Sequence, residues 1–184
     1  MIETGRLVLR APVADDLPWI LAEMNTPGML RHLGGAVQKP DEVDRRLAED
    51  IAAFASGEYH RWTVWLRDED QRVGRTGLFV IRTDAAPGPL RGQIEIGWML
   101  AEPYQGRGLA SEAARAALGF AFGPLGCTQV YSQTSDSNRA STKMIQRLGF
   151  VRRAELDYVD PAYPEVDNPT TVYRLDRVEW AAAA

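Results

Sequence analysis

One cysteine among 184 residues, Cys127, leaves no partner for an intramolecular disulfide, and it has no metal-ligand companions at a useful spacing. It reads as a small buried hydrophobe. Histidine is nearly as scarce: His32 and His60 stand isolated in the chain, which suits structural or surface roles better than catalysis. No metal site is expected. There is no basic excess either, since the net charge is −4, and this argues against a nucleic-acid partner while permitting a cationic acceptor. The chain lacks a secretory apolar segment and any apolar run long enough to cross a bilayer, so a cytoplasmic location without a membrane partner is expected. What is present is ordinary globular material, 45% hydrophobic and 25% charged, at a length near that of one domain spanning 1–184.

Neither internal repeats nor low-complexity linkers interrupt the chain. Alternation predicts an edge strand over 6–10, a short helix follows over 15–24, and a second helix over 41–55 begins after Pro40. Residues 61–67 and 73–82 read as antiparallel strands joined by the polar turn Asp68-Glu69-Asp70. Two prolines and two glycines make 83–92 a loop. A strand over 94–100, a helix over 109–122, a strand over 129–134 and a helix over 141–148 come next. Strands near 150–159 and 171–177 close the pattern, and the alanines of 181–184 read as a frayed end. This order predicts an α+β, mixed α/β chain with a twisted mixed sheet and helices on both faces.

The segment Tyr104-Gln105-Gly106-Arg107-Gly108-Leu109-Ala110-Ser111-Glu112 joins the apolar strand Ile94-Glu95-Ile96-Gly97-Trp98-Met99-Leu100 to a small-residue helix. Gly106 and Gly108 let the backbone turn sharply and bring its N–H groups close to a ligand. The first N–H groups of the helix point the same way, at the positive end of its dipole. A pyrophosphate cradle is the natural occupant. A bare glycine cap is the simpler reading. A dinucleotide fingerprint fails, because Ser111 stands where a third small residue should, and no acidic residue closes a following strand.

A second block, Asn138-Arg139-Ala140-Ser141-Thr142-Lys143-Met144-Ile145-Gln146-Arg147-Leu148-Gly149-Phe150, follows the strand Val130-Tyr131-Ser132-Gln133-Thr134, and Gly149 is placed to stop its helix. A third is Glu3-Thr4-Gly5-Arg6-Leu7-Val8-Leu9-Arg10 followed by Asp15-Asp16-Leu17. The pattern Gln105-x-x-Gly108-x-Ala110, with the Asn138 and amino-terminal blocks in order, resembles the GNAT superfamily of N-acetyltransferases, over nearly the whole chain. The amino-terminal block resembles its ribosomal-protein-alanine acetyltransferase branch.

The resemblance implies that two central parallel strands, 94–100 and 129–134, splay apart to admit acetyl-CoA. It assigns the pyrophosphate to N–H groups of Gln105, Gly106, Arg107, Gly108, Leu109 and Ala110, with the Arg107 side chain adding charge. The pantetheine arm would pair with the backbone of Trp98, Met99 and Leu100, and Asn138 would contact that arm. Asn138 is also a good helix cap, and both roles are compatible. For amide formation, Glu95 is the candidate base, set on an otherwise apolar strand; a solvent-facing or salt-bridged strand position is the competing reading. The superfamily's usual tyrosine acid lies seven residues after the asparagine, where this chain has Ile145. Ser141 fits the acid of the branch, or else a helix-start residue.

For the acceptor, Trp19, Trp62, Tyr158, Tyr163, Glu165 and Asp167 are candidates to line a binding face, and the Pro-rich segment 160–169 is the expected recognition loop. Branch resemblance favours a protein or peptide N-terminal α-amine. A small amine such as an aminoglycoside, polyamine or amino acid, or a coenzyme A sensor without transfer, are the alternatives. A homodimer is compatible with the sequence, which does not set an oligomeric state.

Overall fold

A computed structural model describes residues 1–57 and 60–183; the side chain of His60 and the end residue Ala184, two subjects of the expectations above, lie outside the described residues. The chain packs into two compact units, Met1–Leu78 with Trp98–Ala117, and Phe79–Gly97 with the chain from Leu118 onward.

In the first unit, β1 (Ile2–Glu3), β2 (Leu7–Arg10), β3 (His60–Leu66) and β4 (Gln71–Val80) form an antiparallel meander through the registers Ile2↔Leu9, Leu7↔Leu66 and Leu66↔Gln71. The turn between β3 and β4 puts Asp70 at φ 47, a left-handed position that Asp tolerates. The predicted helix over 15–24 is present as a 3-10 turn at Ala14–Asp16, the short α1 (Leu17–Trp19) and a wider turn over Ile20–Met24. A further short helix, α2, covers Pro27–Leu30. The long α3 (Pro40–Ser56) starts with Pro at its first turn and Asp41 and Glu42 against the helix dipole, and stops at Gly57 with φ 76. Its buried Val43 and Leu47, one turn apart, pack with Ile20, Met24 and Ala101. Each such aliphatic side chain contributes roughly 1.5–3 kcal/mol by leaving water.

β5 (Ile94–Leu100) lies beside β4, Ala101 N–H bonding Val73 O at 2.9 Å in the first unit and Ile81 N–H bonding Gln93 O at 2.9 Å in the second. A Cβ at Gly74 would collide with Met99 O and stand 3.1 Å from Leu100 Cα, so β4 can approach β5 there only as glycine. Gly74→Val is expected to lower stability by about 2–3 kcal/mol, since backbone cannot yield as a side-chain tip can. A melting temperature within 2 °C or so of wild type would contradict this.

In the second unit β5 pairs in parallel with β6 (Gln129–Ser135), with the single register pair Glu95↔Tyr131 and one added bond, Ser132 Oγ to Ile96 O at 3.3 Å. Pairing so limited is what diverging strands require. β6 then pairs antiparallel with β8 (Thr170–Asp176), which carries β7 (Val151–Arg152) on its other edge. The strand order is β1-β2-β3-β4-β5-β6-β8-β7, a mixed sheet in a mixed α/β chain as the sequence predicts. The helix predicted over 109–122 is α4 (Leu109–Phe122), and that over 141–148 is α5 (Arg139–Arg147), ended by Gly149 at φ 93.

Two expectations fail. The strand over 150–159 shrinks to β7 followed by a 3-10 turn at Ala154–Leu156, because Asp157 Oδ1 takes the Val172 N–H at 2.9 Å that a longer ladder would need. Beyond it only Tyr158 bridges to Thr170. The alanine run is no frayed end over its described part: Arg177–Ala183 is a helix, α6, whose Trp180 ring stacks 5.9 Å from Phe122. No helix among the described residues is long and apolar enough to cross a membrane.

Candidate active site

The loop before α4 belongs to the first unit. Gly106 and Gly108 have φ of 74 and 78, the left-handed region that glycine enters without strain. Glu112 N–H bonds Gly108 O at 3.2 Å, whereas among the described residues the N–H groups of Gly106, Arg107, Gly108, Leu109, Ala110 and Ser111 meet no backbone carbonyl. Six such donors at a helix start are of the kind that can hold an anion. A Cβ at Gly106 would meet nothing within 4 Å, so the concave side is open.

Gln105 differs from the expectation. Its N–H bonds Glu102 O at 3.2 Å and its amide Nε2 bonds Leu100 O at 2.8 Å, so it ties the loop to the end of β5 and offers the cradle no backbone donor. Nor is the Arg107 side chain free: it pairs with Glu69 at 3.0 Å and lies over the Tyr104 ring at 5.5 Å. Both partners are more than two-fifths exposed, so this pair is weak and an anion of higher charge can compete for the guanidinium. Leu109 is 1% exposed and packs in the core, which limits its contribution to its backbone.

The amino-terminal block braces this loop. Glu112 accepts from Thr4 Oγ1 at 2.6 Å, Arg6 N–H at 2.9 Å and Arg6 Nε at 2.7 Å, while Arg6 Nη1 donates to Arg107 O at 3.0 Å. Burial would raise the Glu112 carboxyl, but the Thr4 and Arg6 bonds outweigh it and hold it below the ordinary carboxylate range. Arg6 also neutralises a carboxylate in the first turn of α4 that would otherwise oppose an anion. Nothing in sequence spacing linked residues 4–6 to the loop.

Strand alternation sorts the other cofactor candidates. Ala101 and Met99 turn their backbone groups toward β4, so Trp98 and Leu100 present theirs to the opposite edge. Met99 is thereby removed as a backbone partner for an extended ligand. The Leu100 carbonyl is shared with Gln105, which leaves Trp98 as the least committed of the three.

The acid–base candidates belong to the second unit. Glu95 is half-buried at the β5/β6 register pair, and its Oε2 accepts from Gln133 Nε2 at 2.6 Å. Gln133 Oε1 in turn accepts from Tyr158 Oη at 2.9 Å. Burial first, then the charges of Glu95 and Asp160, push the Tyr158 phenol far above its ordinary range; burial, Asp160 and Glu95 raise Tyr163 as well. Both phenols stay protonated at any working pH. Neither Gln133 nor the Tyr158 role was visible in sequence, because the link requires the β5/β6 register.

Asn138 caps α5, its Oδ1 accepting from Ser141 N–H at 3.2 Å. The cap uses Oδ1, so Nδ2 is the atom left for an amide carbonyl. Ser141 is half-buried in the first turn. Ile145, where a tyrosine acid would stand in the superfamily, is fully buried at 0% exposure and belongs to the core. Trp62 is no acceptor face either, being 1% exposed in the first unit with its ring edge-on to Phe54 at 6.1 Å. Asp167 is 4% exposed and accepts from Ser135 Oγ at 3.1 Å and from Ser137 Oγ. Asp160, 7% exposed, accepts from Ala162 N–H at 2.9 Å. The segment 160–169 is laced together by Asn168 Nδ2, which donates to Asp160 O at 3.1 Å and Tyr163 O at 3.0 Å. Among the described residues no group of His, Cys, Asp and Glu side chains could hold a metal ion.

Residues 6–151 match the model of the acetyltransferase (GNAT) domain. The chain belongs to that family. It is 23% identical over 157 residues to the uncharacterized N-acetyltransferase YoaA of Bacillus subtilis (strain 168), covering 85% of each. The acetyltransferase structure from Agrobacterium tumefaciens str. C58 is similar at TM-score 0.73 and 26% identity, over 95% of this chain and 92% of that one. RimL, a ribosomal L7/L12 alpha-N-protein acetyltransferase solved with coenzyme A, shares the fold at TM-score 0.76 and 17% identity, over 94% and 95%. The chain is thus an acyltransferase of the N-acetyltransferase type, with acetyl-CoA as the acetyl donor.

Proposed function

We propose that this chain acetylates the α-amine of a peptide or protein N-terminus, and that its two units together make one acetyltransferase domain. Fold alone does not choose an acceptor. The observation that carries the reading is the half-buried Glu95 carboxylate at the β5/β6 register pair, held by Gln133 at 2.6 Å, while Asp160 and Asp167 are buried and bonded within their own surroundings. A single amine needs one base.

In this reading the cradle donors of Gly106, Arg107, Gly108, Leu109 and Ala110 bind the pyrophosphate, the Trp98 and Leu100 backbone pairs with the pantetheine arm, and Asn138 Nδ2 contacts an amide carbonyl of it. When bound, acetyl-CoA supplies a thioester whose carbonyl an amine can attack. Glu95 takes the proton that the amine loses, and the Ser141 hydroxyl donates one to the departing thiolate. The base acts on an amine that must be neutral. An α-amine near pKa 7.7–8.0 yields roughly 200–400 times more neutral form at pH 7 than a lysine near 10.4.

Peptides that differ only in which amine is blocked are therefore expected to be acetylated at least about tenfold faster on the α-amine at pH 7, the ratio falling as pH rises toward 9. Product mass and kcat/KM across pH 6–9 decide it. Preference for the ε-amine, or for spermidine or an aminoglycoside in the same panel, overturns the acceptor assignment.

A further inference from the structure

We propose that Gln133 and Tyr158 are positioning residues for the Glu95 carboxylate, an inference that rests on reading Glu95 as the base. An ionised carboxylate only accepts, so Gln133 must turn its NH2 end to Glu95, at 2.6 Å. That choice leaves Oε1 on the far side needing a donor. Tyr158 Oη supplies it at 2.9 Å, and because burial and neighbouring negative charge keep the phenol protonated, the donor is permanent. Tyr158 therefore sets the amide's orientation, and the amide holds Oε2 and favours the ionised form of Glu95. The register explains the reach: Tyr131 stands across from Glu95, and Gln133, two residues on, shares its face of β6. The titratable groups of the surrounding elements are Tyr131 on β6, Tyr158, Asp160 and Tyr163 after β7, and Arg82 just past β4. Of these, Asp160 is the carboxylate whose charge opposes ionisation of Glu95. Gln133, donating to Oε2, opposes it.

The test is kcat/KM between pH 5.5 and 9 on a peptide with a free α-amine, for wild type, Gln133→Leu, Tyr158→Phe, the double variant and Glu95→Gln. Dividing each profile by that of Glu95→Gln cancels the titration of the amine itself. In wild type the ratio is expected to fall as acid titrates Glu95. In Gln133→Leu the fall should begin about one pH unit higher, with a loss of about tenfold at the acid end and little at pH 9. Tyr158→Phe should move it the same way by less, and the double variant no further than Gln133→Leu alone. A merely structural role would lower the melting temperature and leave the profile in place. A wild-type position of the fall in folded Gln133→Leu overturns the proposal, and additive shifts in the double variant overturn the part of Tyr158. Should Gln133→Leu not fold, the near-isosteric Tyr158→Phe decides alone, an unmoved fall counting against the relay. A ratio of one at every pH is a different failure, since it removes Glu95 as the base.

Discussion

Gly108→Glu is expected to weaken acetyl-CoA binding by at least about a hundredfold, close to 2.7 kcal/mol. Three effects add. The residue holds φ 78, where an L side chain costs about 1–2 kcal/mol. A carboxylate there would stand among the donors of Gly106 to Ser111 and repel a pyrophosphate at the positive end of α4. Arg6 Nη2 lies 3.6 Å from the position of a Gly108 Cβ, so a new carboxylate would also draw Arg6 from Glu112, to which it now pairs at 2.7 Å, and loosen the brace on Arg107 O. Calorimetry on folded protein measures the loss. Gly108→Asn separates strain from charge, because Asn tolerates the left-handed region and is neutral; it should retain affinity within about tenfold. Undiminished binding by Gly108→Glu would remove the cradle assignment.

The turn at Gly106 and Gly108 and the start of α4 were legible because their parts are local. Two glycines, a strand before and a helix after fix where N–H groups point, whatever the rest of the chain does. Gly149 and the helix stop it enforces were legible for the same reason. The brace was not: Arg6 and Glu112 meet across 106 positions, and the amino-terminal block could be matched to a pattern without showing what its Thr4 and Arg6 hold. Gln133 was hidden by register, since which β6 residue faces Glu95 depends on how two strands slide past one another. The strand misplaced over 150–159 fell to one side chain, Asp157, that competes for a ladder donor. Trp62 was offered as a binding-face aromatic because composition cannot tell a core indole from an exposed one. Ile145 shows the reverse: its departure from the superfamily's tyrosine is visible in sequence, and the structure places it fully in the core.

The largest stability effect is expected at Asp16, in the first unit, whose side chain is wholly buried. Its carboxylate accepts from Arg72 Nε at 2.8 Å, Thr63 Oγ1 at 2.8 Å and Val13 N–H at 3.1 Å, and pairs with Arg10. The two guanidinium groups also lie over the Trp65 ring, 5.0 and 4.8 Å from its centre, so one acidic group organises β2, β3, β4 and the turn before α1. Burial pushes this carboxyl up, but the bonds from Arg10, Arg72, Thr63 and Val13 outweigh burial and set it below the ordinary range. Asp16→Ala leaves both arginines without their partner and is expected to cost about 3–5 kcal/mol, on the order of 10 °C in melting temperature. The sign of the pH dependence follows from the lowered value. The unfolded carboxyl, near pKa 3.9, takes a proton before the folded one does, so the stabilisation is complete well above that value and is lost as pH falls through the folded one. The gap in stability between wild type and Asp16→Ala should therefore be widest at neutral pH and narrow as pH drops below about 4. Urea unfolding at pH 7 and at pH 3.5 measures both gaps. A neutral-pH gap below about 1 kcal/mol would put the pair with ordinary surface ion pairs, and a gap that widens in acid would reverse the assigned shift.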